Sequence, residues 1–217
     1  MVTIRLLIEG GGERGMPSKG LAVKMRQSFK LFISSAGIDQ GDFTVERWGS
    51  RGQAFSAFIN AFNNRPSSVV PLLLVDSEDP IPVNTNPWDF VQKRDGWNRP
   101  EGVRDEHLHL MTQCMETWFL ADMEALEKFF GNGFHKDSLP KTQPIEDAYK
   151  TDILNGLDSA ARNTTKQCYD KGDHSFAILA MLDPVKVQEK SPWCKTPSLL
   201  TISDDSLDNG IGTGVKN

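Results

Sequence analysis

"SVVPLLLVDSEDP", Ser68–Pro80, begins as an apolar run and ends in three acids within four positions, Asp76, Glu78 and Asp79. A short run of Val and Leu bounded by turn residues reads as a strand buried on both faces, as in a parallel sheet. Pro71 limits pairing to the part of the strand that follows its start. A buried strand that runs into clustered like charge needs a counter-charge at its end, because unneutralised carboxylates repel and hold protons. The stretch therefore predicts both a parallel sheet and a positive partner at its edge.

The flanking sequence agrees with the sheet. "VTIRLLIE", Val2–Glu9, alternates and then turns apolar, and "DFTVERWG", Asp42–Gly49, is a second short strand. Between them Leu21, Met25, Phe29, Phe32, Ile33 and Ala36 fall near helical spacing, with Gly37 as the stop. Gly52–Phe62 is a second helix, its Phe55, Phe58, Ile59 and Phe62 stripe reading as core. Residues 80–106 are irregular around a short helix at Trp88–Arg94, and "HLHLMTQ", His107–Gln113, is a fourth strand. Helices are expected at Cys114–Phe119, Met123–Phe130, Ile145–Ala161 and His174–Leu182, and another begins at Asp183-Pro184. The order βαβαβ(α)β followed by helices implies an α/β fold: a Rossmann-like four-stranded parallel sheet flanked by helices, with a C-terminal helical extension. The expected division is an α/β core over 1–112, a helical extension packed on it over 113–200, and a flexible tail over 201–217. In such sheets function collects at the carboxyl ends of the strands, which brings Glu9 to the same edge as Asp76–Asp79.

The 217 residues carry a net charge of −5, unevenly spread. Residues 1–68 hold 9 Lys and Arg against 5 Asp and Glu, and the remainder holds 15 against 24. An acidic chain meets nucleic acid only through a local basic face, a metal or a partner. The three cysteines, Cys114, Cys168 and Cys194, are widely spaced and form no zinc pattern, so reduced thiols are expected. No apolar run approaches the roughly 20 residues of a membrane span, and the start of the chain reads as a strand and not a signal peptide. A cytoplasmic protein with no membrane association is expected.

"GGGERG", Gly10–Gly15, matches the spacing of a dinucleotide-binding turn. Glu9 and Glu13 oppose that reading, because a pyrophosphate brought to this turn would meet two carboxylates. The acids have a use of their own. Glu9 and Glu13 span a tight turn, and Asp76 and Glu78, two apart on an extended segment, share a side. Hard oxygen ligands gathered at one sheet edge suit Mg²⁺ or Mn²⁺, which would be the missing positive partner. Solvated loop ends and simple turn chemistry at Asp79-Pro80 are the bland alternative.

These residues carry a resemblance. "IEGGGER", Ile8–Arg14, resembles the E-G-x-x-E opening of Toprim domains, notably those of the overcoming-lysogenization-defect nucleases, and "LLLVDSED" resembles the Toprim D-x-D strand end. "PWDFVQKRDGWNRP", "HLHLMTQCMETWFLAD" and "YDKGDHSFAILAMLDP" are similar to a bacterial family of Toprim-like proteins that carries a domain-of-unknown-function label, from about Val2 to Trp193. The resemblance implies metal-dependent hydrolysis of DNA or RNA phosphodiesters, in an effector working beside an AAA- or ABC-type ATPase in anti-phage defence. Glu9 and Glu13 match the first acidic motif, and Asp76 and Glu78 the second; Glu78 departs from the Asp of the pattern and reaches one carbon further. With only Tyr149 and Tyr169 in the chain, nothing favours topoisomerase action over nuclease action.

Around this set, Glu116 would complete the site or act as a base, and Lys171 would steady charge on phosphorus. An Arg pair for Glu116 and a solvated turn for Lys171 are the alternatives. Arg47, Arg51, Arg94 and Trp97 are the substrate-binding candidates, with Lys24 and Arg26 also in the basic first third. His107 and His109 share a strand face but find no further soft ligand, and read as structural. Two other classes of function fit the acids: a non-catalytic subunit docking a basic partner or a structural cation, and a nucleotidyl-transfer enzyme using the same metals. A homo-oligomer is compatible with the sequence.

Overall fold

The computed structural model describes residues 3–10, 19–39, 41–82 and 84–194. Four strands, β1 (Thr3–Glu9), β2 (Phe43–Trp48), β3 (Val69–Asp76) and β4 (Leu108–Met111), form one sheet in the order β2-β1-β3-β4. Every pair is parallel. The protein is thus an α/β fold with an all-parallel sheet flanked by helices. The helices are α1 (Lys19–Ser35), α2 (Arg51–Asn63), α3 (Pro87–Asp95), α4 (Met123–Phe130), α5 (Lys150–Ala161), α6 (Asp173–Leu179) and α7 (Pro184–Lys190).

Side-chain alternation along the strands feeds two cores. Leu6 and Ile8 of β1 and Leu72 and Leu74 of β3 pack with Met25, Phe29, Phe32 and Ile33 of α1. Leu7, Leu73 and Val75 point the other way, onto Ala54, Phe58 and Phe62 of α2 and Trp88 and Val91 of α3. The central strands are apolar on both faces because both faces are covered. The larger core also takes in Trp118, Phe119, Leu126, Leu157 and Leu179, so the helices after β4 share a core with the sheet.

Local chemistry sets the element ends. Ser50 caps α2 through a capping box, its Oγ accepting from Gln53 N (3.4 Å) while Gln53 Oε1 accepts from Ser50 N (2.8 Å), a device worth about 1 kcal/mol. Asn86 caps α3 ahead of Pro87, and Gly96 closes it at φ 73°. The expected Met123–Phe130 helix forms with Asp122 as cap and Gly131 as stop. Three expectations are corrected. The helix expected at Cys114–Phe119 spans Met115–Ala121 and is a 3₁₀ helix. The fourth strand stops at Met111, because Gln113 is left-handed (φ 60°) and leaves the ladder. The long helix from Ile145 begins only at Lys150, after a separate 3₁₀ turn at Ile145–Asp147. The expected tail from Thr201 and most of the glycine turn lie outside the described residues.

The strand order places the site. β1 leads to β2 on one side, while β3, next to β1 on its other side, leads away to β4. The carboxyl ends of β1 and β3 therefore flank the switch point of the sheet, where a crevice opens in open α/β sheets. Glu9 ends β1 and Asp76 ends β3.

Candidate functional site

Glu9 and Asp76 leave adjacent strands toward opposite faces. Glu9 follows Leu7 in alternation and lies on the α2 side, where Arg51 Nη1 stands 3.8 Å from its Oε2. Asp76 follows Leu72 and Leu74 and lies on the α1 side. Both carboxylates hold an oxygen that is buried and without a hydrogen bond, Glu9 Oε2 and Asp76 Oδ1. Burial pushes the Asp76 carboxyl up to about 8, with the charges of Glu116, Glu9 and Glu78 adding and Lys150 opposing. Burial also raises Glu9, against the pull of Arg51.

Glu78 is not on an extended segment, as the sequence suggests, but left-handed at φ 64°. Two hydrogen bonds bend the chain there: Ser77 N donates to Met111 O (2.8 Å) and Glu78 N to Gln113 O (3.0 Å). Non-glycine residues at positive φ cost energy, and such strain collects at functional sites. The Glu78 carboxylate accepts a hydrogen bond from Lys150 Nζ. Burial works against the Lys150 ammonium, yet the bond and charge of Glu78 raise it overall.

Sequence reasoning missed Lys150 because it is brought in from 72 residues away. Gln113 does the positioning. Buried and left-handed, it donates from Nε2 to Glu146 O (3.0 Å) and Ala148 O (2.6 Å) and accepts at Oε1 from Lys150 N (2.9 Å). One side chain thus ties the end of β4 to the first residue of α5. As the last residue of the expected fourth strand, Gln113 gave no sign of this role.

Glu116 reaches the same face from the 3₁₀ helix and is 1% exposed. Its partner is not arginine: the Tyr169 hydroxyl donates to Oε1 at 3.0 Å. Burial and the Glu116 charge raise Tyr169, so it stays a donor. Cys114, buried nearby, has its thiol pushed up to about 12 by burial and by Glu116 and Asp76, which leaves it unreactive at neutral pH.

The expected cations split. Arg51 grips Asp95 with two bonds (2.9 and 2.8 Å), donates to the Asp76 carbonyl and lies 4.9 Å from the Trp97 ring centre. Trp97 itself stacks on Phe55 at 4.2 Å. Arg94 bonds Asp79 (3.3 Å) and Asp95 (2.8 Å). These three residues form a bracket under the α2–α3 side of the edge. Lys171 is exposed and its charge is not among those acting on Asp76. Arg47 donates to the Gly10 carbonyl, beside Glu9. Burial holds His109 down at about 4, neutral at pH 7, and His107 Nδ1 accepts from Arg104 N at 3.1 Å.

Two orphaned carboxylate oxygens in a like-charged crevice suit a hard cation. Among the described residues no group of three or more His, Cys, Asp and Glu is close enough to hold a metal, and Glu13 lies outside them.

Fold and site together define an α/β protein with an acidic crevice at the switch point of a parallel sheet. The chain belongs to the family described as Domain of unknown function (DUF4276), matched over residues 8–196. No curated protein and no solved structure matches the chain. No described helix is long and apolar enough to cross a membrane.

Proposed function

We infer that the protein is a metal-dependent nuclease that hydrolyses phosphodiester bonds of DNA or RNA at the β1–β3 crevice. The observation that carries this reading is the pair of buried carboxylate oxygens without a hydrogen bond, Glu9 Oε2 and Asp76 Oδ1, of which only Glu9 has a cation beside it, Arg51 at 3.8 Å. A carboxylate held protonated by burial and by other carboxylates is unfavourable for stability and typical of a working site. Glu9, Asp76 and the Glu13 of the glycine turn would hold Mg²⁺ or Mn²⁺, with Glu78 joining on release from Lys150. Such a cation, when bound, supplies Lewis-acid polarisation of the phosphoryl oxygens.

The chain's own groups have separable roles. Lys150, held by Gln113, presents an ammonium to a phosphate as a point charge, the role that the sequence assigned to Lys171. Glu116, oriented by the Tyr169 hydroxyl, would accept a proton from attacking water. Arg51 and Arg94 support the acids and do not face substrate, because Asp95 and Asp79 occupy them. The Toprim resemblance supports the same chemistry. It also supports a cytoplasmic role in anti-phage defence beside an ATPase partner, and leaves room for self-association.

The test is calorimetric titration of Mg²⁺ and Mn²⁺ into the wild type and into Asp76→Asn, followed by cleavage assays on DNA and RNA. Binding and cleavage lost together in the variant support the reading. Wild-type protein that binds no metal, even with nucleic acid present, turns the edge into a docking surface for a basic partner.

A further inference from the structure

Cations lie along β1, β2 and α1, and the structure sorts five of them. Arg5 pairs with Glu46 (2.5 and 2.9 Å), Lys24 with Asp173 (2.7 Å), and Lys30 lies 5.9 Å from the centre of the Phe43 ring. Arg26 and Arg47 have no carboxylate partner among the described residues. They act on each other instead: burial and the Arg26 charge both lower Arg47.

The fold directs Arg47 at the crevice. On β2, Phe43 and Val45 join the core beneath α1, and alternation puts Arg47 on that same face, the face of Asp76. In register Arg47 is level with Ile8, and Ile8 with Leu74, one pleat short of Asp76. Its side chain then runs forward across Gly10 and donates from Nη2 to the Gly10 carbonyl. A Cβ on Gly10 would collide with Nε and Cγ of Arg47 and with the Trp48 carbonyl, so the glycine lets both the arginine and the β2 backbone lie close there. Among the described residues this is its one hydrogen bond, which leaves most of the guanidinium fork for another acceptor. Arg26 projects from the exposed side of α1, which carries Lys19, Lys24, Arg26 and Lys30 and no acid.

We propose that Arg26 and Arg47 form a phosphate clamp that holds the nucleic-acid backbone on the β2 side of the crevice, so that the next phosphodiester lies over Asp76. The proposal rests on the nucleic-acid reading above. Two strand spacings, about 10 Å, separate β2 from β3. Arginine suits the task because its planar fork engages phosphate bidentately. Two like charges held together at an edge of acids are otherwise unfavourable, and a bound phosphodiester relieves them.

The experiment is fluorescence anisotropy of a labelled single-stranded oligonucleotide with the full chain in EDTA, across a series of salt concentrations. Arg26→Ala/Arg47→Ala should lower the slope of log K against log salt by about 1.4, the loss of two phosphate contacts. Affinity at low salt should fall at least about tenfold. Lys24→Ala, which removes an already paired cation of the same helix, should change neither. Gly10→Ala should weaken binding as Arg47→Ala does, although it removes no charge. An unchanged slope in the double variant, an equal loss in Lys24→Ala, or wild-type protein that binds no oligonucleotide overturns the clamp. The hydrolytic reading fails separately: binding that depends on both arginines, without metal-dependent cleavage, keeps the clamp and removes the chemistry. Cleavage with an arginine-independent slope does the reverse.

Discussion

Two aspartates of this chain sit in opposite circumstances. Asp122, 4% exposed, is fully occupied: its Oδ1 accepts from Ala125 N (3.3 Å) and Lys186 Nζ (2.8 Å), and its Oδ2 from Asp183 N (3.0 Å). Burial alone would raise its carboxyl, but Lys186 and the two N–H donors outweigh it and hold it low. Asp76 has an orphaned Oδ1 and is surrounded by Glu116, Glu9 and Glu78, with its carboxyl pushed up to about 8. One acid joins three segments of the fold; the other weakens the fold where it stands. A buried polar group with every partner present explains itself, whereas one without partners needs a ligand to explain it.

The largest break in this comparison comes from Asp76→Asn. It should reduce metal-dependent cleavage by about a thousandfold, some 4 kcal/mol of activation free energy. Thermal unfolding of the metal-free protein should stay at the wild-type temperature or rise. A variant that melts much lower would make Asp76 a structural acid like Asp122.

Gln113→Ala should come next, at about 3 kcal/mol of stability by urea unfolding. It strands the Glu146 and Ala148 carbonyls and the Lys150 N–H. Because it also frees Lys150, cleavage measured well below the melting temperature should fall as well. Asp122→Ala should cost about 2 kcal/mol and leave metal binding untouched, read by urea unfolding beside calorimetry.

Per unit of pH the smallest effect is the pH response, about 1.4 kcal/mol for one proton, and the two acids respond with opposite sign. Asp76 keeps its proton in the folded chain up to about 8, against an ordinary 3.8. Between those values the unfolded chain has lost a proton that the folded chain keeps, so metal-free stability falls as pH rises through the window. The difference between wild type and Asp76→Asn, from urea titrations at a series of pH values, should show a slope approaching one proton there. Asp122 is held below its ordinary value, so its contribution is present above 3.8 and is lost as pH falls through the folded value. Asp122→Asn should therefore flatten the acid side of the profile.

Much of the fold was legible in the sequence. β3 was read to within one residue, and α4 with its cap and stop to the residue, because local periodicity and capping chemistry act over a few neighbours. The 3₁₀ pitch of the Met115–Ala121 helix was not legible, because an apolar run buried all round carries no period to distinguish it. Glu9 and Asp76 were legible as candidates from their residue types and strand-end positions, and Glu116 from its residue type. Lys150, Gln113, Tyr169 and Arg26's place beside Arg47 were not, since each depends on a contact between segments far apart in the chain.

By itself the sequence determined that this is a parallel α/β chain with acids at the ends of its first and third strands. Hydrophobic period and turn chemistry are local properties, and topology rules carry them to one sheet edge. Only the tertiary structure decided which of those acids are neutralised. Arg51 and Lys150 reach Glu9 and Glu78 across the fold and leave Asp76 bare. Charge pairing falls off within a few ångströms and desolvation depends on everything packed around a group, so neither is written in spacing along the chain.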